Sequence, residues 1–97
     1  MTYDLVIKNG MIVSGASAAV ADVAVQGETI AAIGRNLSGK RVIDAAGKLV
    51  TPGAVDIHVH MQMPIGAFVS SDDFFTGTRA AALGGTTSIV DFVEPRV

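Results

Sequence analysis

The chain contains no cysteine. That absence excludes a disulfide framework, a thiolate metal site and a cysteine nucleophile. Charge is scarce as well: Asp, Glu, Lys and Arg make up 16% of the 97 residues, and the formal net charge is −2. The 7 Lys and Arg are scattered, with no basic run, so nothing recommends a nucleic acid or an anionic membrane as partner. No apolar run approaches the roughly 18 residues of a membrane span. Residues 1–10 lack the basic opening and apolar centre of a signal peptide. The expectation from these absences is a soluble cytoplasmic protein.

What is present is apolar. Hydrophobic residues reach 49%, and the mean hydropathy is +0.49. A small domain has much surface for its volume and ordinarily needs more charge to cover it. The expectation is a segment of a larger protein, with apolar faces that other parts cover.

The first half reads as short strands. Residues 3–9 alternate, with Tyr3, Leu5 and Ile7 on one side and Asp4, Val6 and Lys8 on the other. Asn9-Gly10 is a turn signal and residues 11–13 a second short strand; residues 14–19 read as a loop. Residues 22–26 and 29–33 form a hairpin about Gly27-Glu28. Residues 34–40 read as a loop, and 41–44 and 48–50 as further strands. Close-spaced short strands suggest a small β-sandwich or open sheet.

The pattern changes at Thr51-Pro52-Gly53, where proline cannot donate to a ladder and glycine bends freely. Residues 54–60 then read as a strand and 61–70 as a loop. A helix capped by Ser71 follows, with Asp72 and Asp73 in its first turn, closing at Gly84-Gly85. Residues 86–92 are a β-branched strand. Strand, helix, strand is a βαβ unit with parallel strands. The expected organisation is α/β: residues 1–51 as strands of a β-domain and residues 52–97 as the first βαβ unit of a truncated fold.

His58 and His60 are the two histidines of the chain. Residues i and i+2 of a strand share a face, about 6.5 Å apart. Imidazoles reaching out from there can converge on one ion at about 2.0 to 2.1 Å per nitrogen. They stand at the carboxyl end of their strand, where parallel α/β folds carry their sites. Asp56 lies two residues deeper on the same face, able to orient a ligating imidazole or to hold the strand end. The plainer alternative is two ordinary polar residues at a strand end. Zinc in hydrolases takes three protein ligands plus water, so two histidines make only part of a site. The apolar loop 61–68 reads either as a wall of the site or as packing against neighbouring loops. Asp72 and Asp73 read as helix-start residues, Asp91 as structural and Arg79 as solvated. Gly84-Gly85 follows a helix and precedes a strand, the wrong order for a phosphate loop.

Residues 51–60, Thr-Pro-Gly-Ala-Val-Asp-Ile-His-Val-His, resemble the signature that opens the catalytic barrel of the amidohydrolase superfamily. Asp72-Asp73-Phe74, Gly77-Thr78, Ala80-Ala81-Ala82 and Gly84-Gly85-Thr86-Thr87-Ser88-Ile89-Val90-Asp91-Phe92 are similar to the D-hydantoinase and dihydropyrimidinase branch. So are Asp4-Leu5-Val6-Ile7-Lys8-Asn9-Gly10 and Asp44-Ala45-Ala46-Gly47-Lys48. Dihydroorotases and allantoinases usually carry Arg-x-Pro-Gly or Asn-Glu-Pro-Gly soon after the second histidine. Met61-Gln62-Met63-Pro64 stands here instead, which favours hydantoinase-like substrates.

The resemblance implies a (β/α)8 TIM-type barrel preceded by strands of a small β-sandwich domain. It implies a metal-dependent hydrolase of the cyclic amide bond of hydantoins or dihydropyrimidines. His58 and His60 would bind one of two zinc ions. A carboxylated lysine bridging the metals, two more histidines and a catalytic aspartate would lie in later sequence, so no catalytic residue falls within these 97. Met63, Ile65 and Phe68 would shape the pocket for the substrate's exocyclic group. The intact protein would be a homo-oligomer, tetramer or dimer, acting on a small cyclic amide or imide. Alternatives of other kinds are an allantoinase- or dihydroorotase-type enzyme, a non-catalytic assembly protein of the same fold, and a segment with no function of its own.

Overall fold

A computed structural model describes residues 1–93 of the chain. Residues 94–97, which end the second expected segment, lie outside the described residues. The chain divides into two compact units, Met1–Pro52 and a second that begins at Gly53.

The first unit is one five-stranded sheet. Its strands are β1 (Thr2–Ser14), β2 (Ser17–Gln26), β3 (Thr29–Gly34), β4 (Ser38–Asp44) and β5 (Leu49–Val50), in the order β3-β2-β1-β4, with β5 also on β1. The hairpin pairs β1–β2 and β2–β3 are antiparallel; β4 and β5 run parallel to β1. Three sequence expectations need correction in this unit. Asn9-Gly10 is not a turn between two strands: β1 runs straight through it, and the ladder with β2 shifts register between Ile7 and Gly10. Asn9 takes a positive φ of 64°, which an asparagine tolerates. The result is a bulge, because both flanks keep the same neighbouring strand. Residues 14–19 are not a loop either: the reversal is confined to Gly15 and Ala16, and β2 starts at Ser17. Gly15, at φ 56°, supplies the tight turn that small residues alone did not signal. Likewise β4 begins at Ser38, inside the expected loop 34–40.

The core of this unit lies where the first half of β1 pairs with the last half of β2. Val6 faces Ala24 in the register, and both are fully buried. Val6 also faces Val42 of β4. A Cβ added at Gly39 would lie 2.8 Å from Val6 Cγ2, so that glycine admits β4 closely over the valine. Val6→Ala removes two methyl groups from this seam and should destabilise the chain by about 2 kcal/mol. A urea titration followed by far-UV circular dichroism measures it; an unchanged midpoint would show that Val6 does not carry the core.

The second unit begins with β6 (Ala54–Val59), then β7 (Pro64–Ile65) and β8 (Phe68–Val69), helix α1 (Phe74–Leu83) and β9 (Thr86–Asp91). β6 and β9 pair in parallel, and α1 connects them in sequence, so the expected βαβ unit is present. The loop 61–70 contains the small antiparallel hairpin β7–β8. The helix cap is Asp73, not Ser71. Its carboxylate accepts from the Thr76 backbone N–H at 2.7 Å, and the Thr76 hydroxyl accepts from the Asp73 N–H at 3.1 Å. This reciprocal box needs a polar side chain three residues on. Asp73 has Thr76 there, whereas Ser71 would have Phe74. The bonds from Thr76 hold the Asp73 carboxyl below its ordinary value. At the other end the chain leaves the helix through Gly85 at φ 92°.

Apolar side chains of this unit stand open. Val55 and Ile57 of β6 are 62% and 70% exposed, and Phe75 of α1 is 72% exposed. Parallel pairs are ordinarily covered on both faces. Among the described residues no helix is long and apolar enough to cross a membrane.

Candidate metal centre

β6 sets the site by its period of two. Asp56 and His58 fall on one face, and His60 continues that alternation one residue past the strand end. The strand is anchored on β9 at both ends. Ala54 donates its N–H to Gly85 O at 2.9 Å, and Phe92 donates its N–H to Val59 O at 2.9 Å. At the start of β6, a Cβ on Gly53 would overlap the Thr87 side chain, so glycine is what lets the two strands approach there.

The two imidazoles meet. His58 Nε2 and His60 Nε2 lie 3.0 Å apart, with ring centroids 5.0 Å apart and planes at 67°. Such an approach is either a hydrogen bond, one ring donating its Nε2–H to the other, or two acceptors converging on a cation. Two nitrogens each about 2.0 to 2.1 Å from one ion stand roughly 2.8 to 3.0 Å apart at an octahedral angle and roughly 3.3 to 3.4 Å apart at a tetrahedral one. The observed separation falls in that range, so the pair fits a shared metal ion. It supplies two ligands only: among the described residues no group of three or more His, Asp, Glu or Cys could hold a metal.

Asp56 does not reach either ring. Its Oδ1 accepts from the backbone N–H of His58 at 3.1 Å, so it holds the strand end, one of the two roles open to it. Asp91 does the same from the facing strand: its Oδ2 accepts from the Met61 N–H at 3.3 Å. With the Phe92 bond to Val59, the residues on both sides of His60 are therefore tied to the end of β9.

The loop after His60 is ordered by local bonds. Gln62, at φ 51°, donates its N–H to Asp72 O and accepts at Oε1 from the Phe74 N–H. Met61 packs on α1 where Gly77 is buried; a Cβ there would stand 2.7 Å from the Met61 sulfur. Met63 closes the base of the hairpin: its backbone O accepts from the Ser70 N–H at 2.8 Å, and its N–H donates to the Ser70 hydroxyl at 2.8 Å. Ile65 and Phe68 are cross-strand partners at its tip, 59% and 78% exposed. The hairpin thus gathers Met63, Ile65 and Phe68 on one small element.

One residue at the site escaped the sequence reading. The ring of Phe92 lies 4.5 Å from that of His58 and 5.8 Å from that of His60, centroid to centroid, tilted 40° and 39°. Its position one step beyond Asp91, on the strand beside the histidines, was the available signal. An apolar residue at a strand end reads as packing until the register is known.

No protein-family model matches the chain. Individual proteins do. The chain is 54% identical over 88 residues to a D-hydantoinase of Geobacillus stearothermophilus, covering 89% of this chain and 19% of that protein. It is 46% identical over 99 residues to a dihydropyrimidinase of Rattus norvegicus, covering 95% and 19%. An allantoinase of Enterococcus faecalis is 48% identical over 92 residues, covering 94% and 20%. Among solved structures, a D-hydantoinase from Bacillus sp. AR9 superposes with a TM-score of 0.90 at 50% identity, over 96% of this chain and 21% of that one. The chain thus spans about a fifth of the length of the relatives it matches. These findings bear out the resemblance to D-hydantoinases and dihydropyrimidinases. They do not separate these from allantoinases by overall identity, so that distinction rests on residues 61–64.

Proposed function

We propose that the chain is the N-terminal part of a metal-dependent cyclic amidohydrolase that opens hydantoin or dihydropyrimidine rings. The observation that carries this reading is the convergence of His58 Nε2 and His60 Nε2 to 3.0 Å at the end of β6, in a chain 54% identical to a D-hydantoinase. Residues 1–51 are read as strands of a β-sandwich domain, and residues 52–97 as the first βαβ unit of a (β/α)8 barrel. In that arrangement further strands and helices cover Val55, Ile57 and Phe75. The intact protein is read as a homo-oligomer.

His58 and His60 would hold a zinc ion through Nε2, which places the ring proton of each on Nδ1. A zinc ion there supplies a Lewis acid for the ring carbonyl and lowers the pKa of water. The chain's own contributions are geometric. Asp56 fixes the backbone of His58, Asp91 fixes that of Met61, and the hairpin carrying Met63, Ile65 and Phe68 offers an apolar wall to the substituent on the substrate ring. The remaining ligands and the proton-shuttling aspartate belong to sequence outside these 97 residues.

Ring opening of a cyclic imide produces a carboxylic acid, so proton release measures it directly. The full-length protein should release protons from hydantoin or dihydrouracil, and a chelator should suppress most of that activity until zinc is restored. Inactivity of the zinc-loaded protein on every cyclic amide would refute the reading. A second reading is favoured by the 48% identity to an allantoinase; faster opening of allantoin than of either other ring would establish it.

A further inference from the structure

Resting on the metal-site reading above, we propose that Phe92 is a positioning residue that holds both imidazoles in the metal-binding arrangement. A ligating histidine is ordinarily oriented by a carboxylate, carbonyl or water on its other ring nitrogen. Among the described residues nothing reaches the Nδ1 of either ring; the one polar contact of these side chains is that between the two Nε2 atoms. The nearest candidate, Asp56, spends its Oδ1 on the His58 backbone. What does touch both rings is Phe92. A single phenyl ring stands 4.5 Å from His58 and 5.8 Å from His60, at nearly the same tilt to each.

Its placement is fixed by backbone rather than by chance packing. The Phe92 N–H donates to Val59 O at 2.9 Å, between the two histidines. The ring is therefore delivered to the pair by the same β6–β9 pairing that aligns them. Two effects follow. The phenyl limits the rotamers open to each imidazole, so less conformational entropy is lost when both turn toward one ion. An imidazole that shares its lone pair with a cation becomes electron-poor, and the electron-rich face of a phenyl ring favours that state over the unliganded one. Phe92 thus contributes to holding the ion without ligating it.

The test uses the full-length protein and measures zinc affinity by chelator competition, beside the visible spectrum of the cobalt-substituted form. Phe92→Ala should weaken zinc binding by about 10- to 100-fold, the usual cost of losing an outer partner of a ligand. Phe92→Leu, which keeps bulk but not the aromatic face, should fall between, with an altered cobalt spectrum; it decides the matter if the alanine variant does not fold. Phe92→Tyr should restore near-parental affinity. Parental affinity and spectrum in Phe92→Leu and Phe92→Ala would overturn the role of Phe92. His58→Ala is the separate arm: if it too keeps its zinc, the metal-site reading itself fails, and Phe92 with it.

Discussion

Replacing either His58 or His60 with alanine is expected to cost the full-length protein its metal at that position and, with it, ring-opening activity. The loss should exceed the roughly 10- to 100-fold that removal of an outer partner costs, because a direct ligand is gone. Each variant leaves one imidazole whose Nε2 no longer has a second nitrogen 3.0 Å away. Folding should be nearly untouched. Both histidines are exposed, and the bonds that hold their backbones come from the Asp56 carboxylate and from the Phe92 and Met61 amides. Substitution of exposed side chains ordinarily changes stability by less than about 0.5 kcal/mol. Zinc content by elemental analysis, read beside a thermal melt, separates the two effects. Unchanged zinc in both variants would sink the site. A fall in zinc together with a large fall in melting temperature would instead mark the pair as structural.

The pair was legible because strand geometry has a period of two. His-x-His at the end of an apolar run, past Pro52-Gly53, leaves the two rings little choice but one face. The βαβ order was legible for similar local reasons: β-branched runs at 54–59 and 86–91 flank an alanine-rich stretch that two glycines end. What stayed hidden depends on partners distant in sequence. Asn9-Gly10 carries the same signal for a hairpin turn and for a bulge, and only the continued pairing with β2 distinguishes them. Ser71, Asp72 and Asp73 can all cap a helix; the choice fell to the one whose third neighbour could answer. Phe92 acquired its place beside the histidines through the register of β9 on β6, which no local pattern displays. The burial of Val6 on the side shared with Asp4 and Lys8 also required the neighbouring strands, since Ala24 and Gly39 create that seam.

The second large effect is expected at Asp22, in the other unit. Among the described residues it is the buried charged side chain, and it accepts three hydrogen bonds: Lys8 Nζ at 2.9 Å, the Asn9 N–H at 3.0 Å and the Leu37 N–H at 3.2 Å. Lys8 Nζ also donates to Leu37 O at 2.8 Å. One carboxylate therefore fastens the β1 bulge and the segment entering β4 to β2. It also answers the Asn9 N–H, which the bulge removes from the ladder. Asp22→Asn loses the charge and turns an amide donor toward the Lys8 ammonium or the backbone N–H groups. Breaking a buried pair in this way is strongly destabilising, and the melting temperature should fall by on the order of 10 °C. Lys8→Met, combined with Asp22→Asn, should cost less than the sum of the two single changes, because each alone strands the other's charge or donors.

The same network predicts an acid signature. The Lys8 ammonium, followed by the Asn9 amide, lowers the Asp22 carboxyl from 3.8 to about 2. A depressed folded-state value means that the unfolded chain takes up the proton first as pH falls. The stabilisation is whole above about pH 4, erodes below it, and is lost as pH falls through about 2. Asp4, Asp44 and Asp73 are lowered in the same direction, by Gly27, Ala46 and Thr76 amides respectively, so the parent chain's acid slope is shared. Asp22→Asn isolates one part of it. Its melting temperature should vary less steeply than the parent's between pH 4 and 2, so that the two curves approach each other at the acid end. Parallel curves over that interval would show that the Asp22 charge does not hold the bulge, and that the three donors around it are satisfied by something other than a carboxylate.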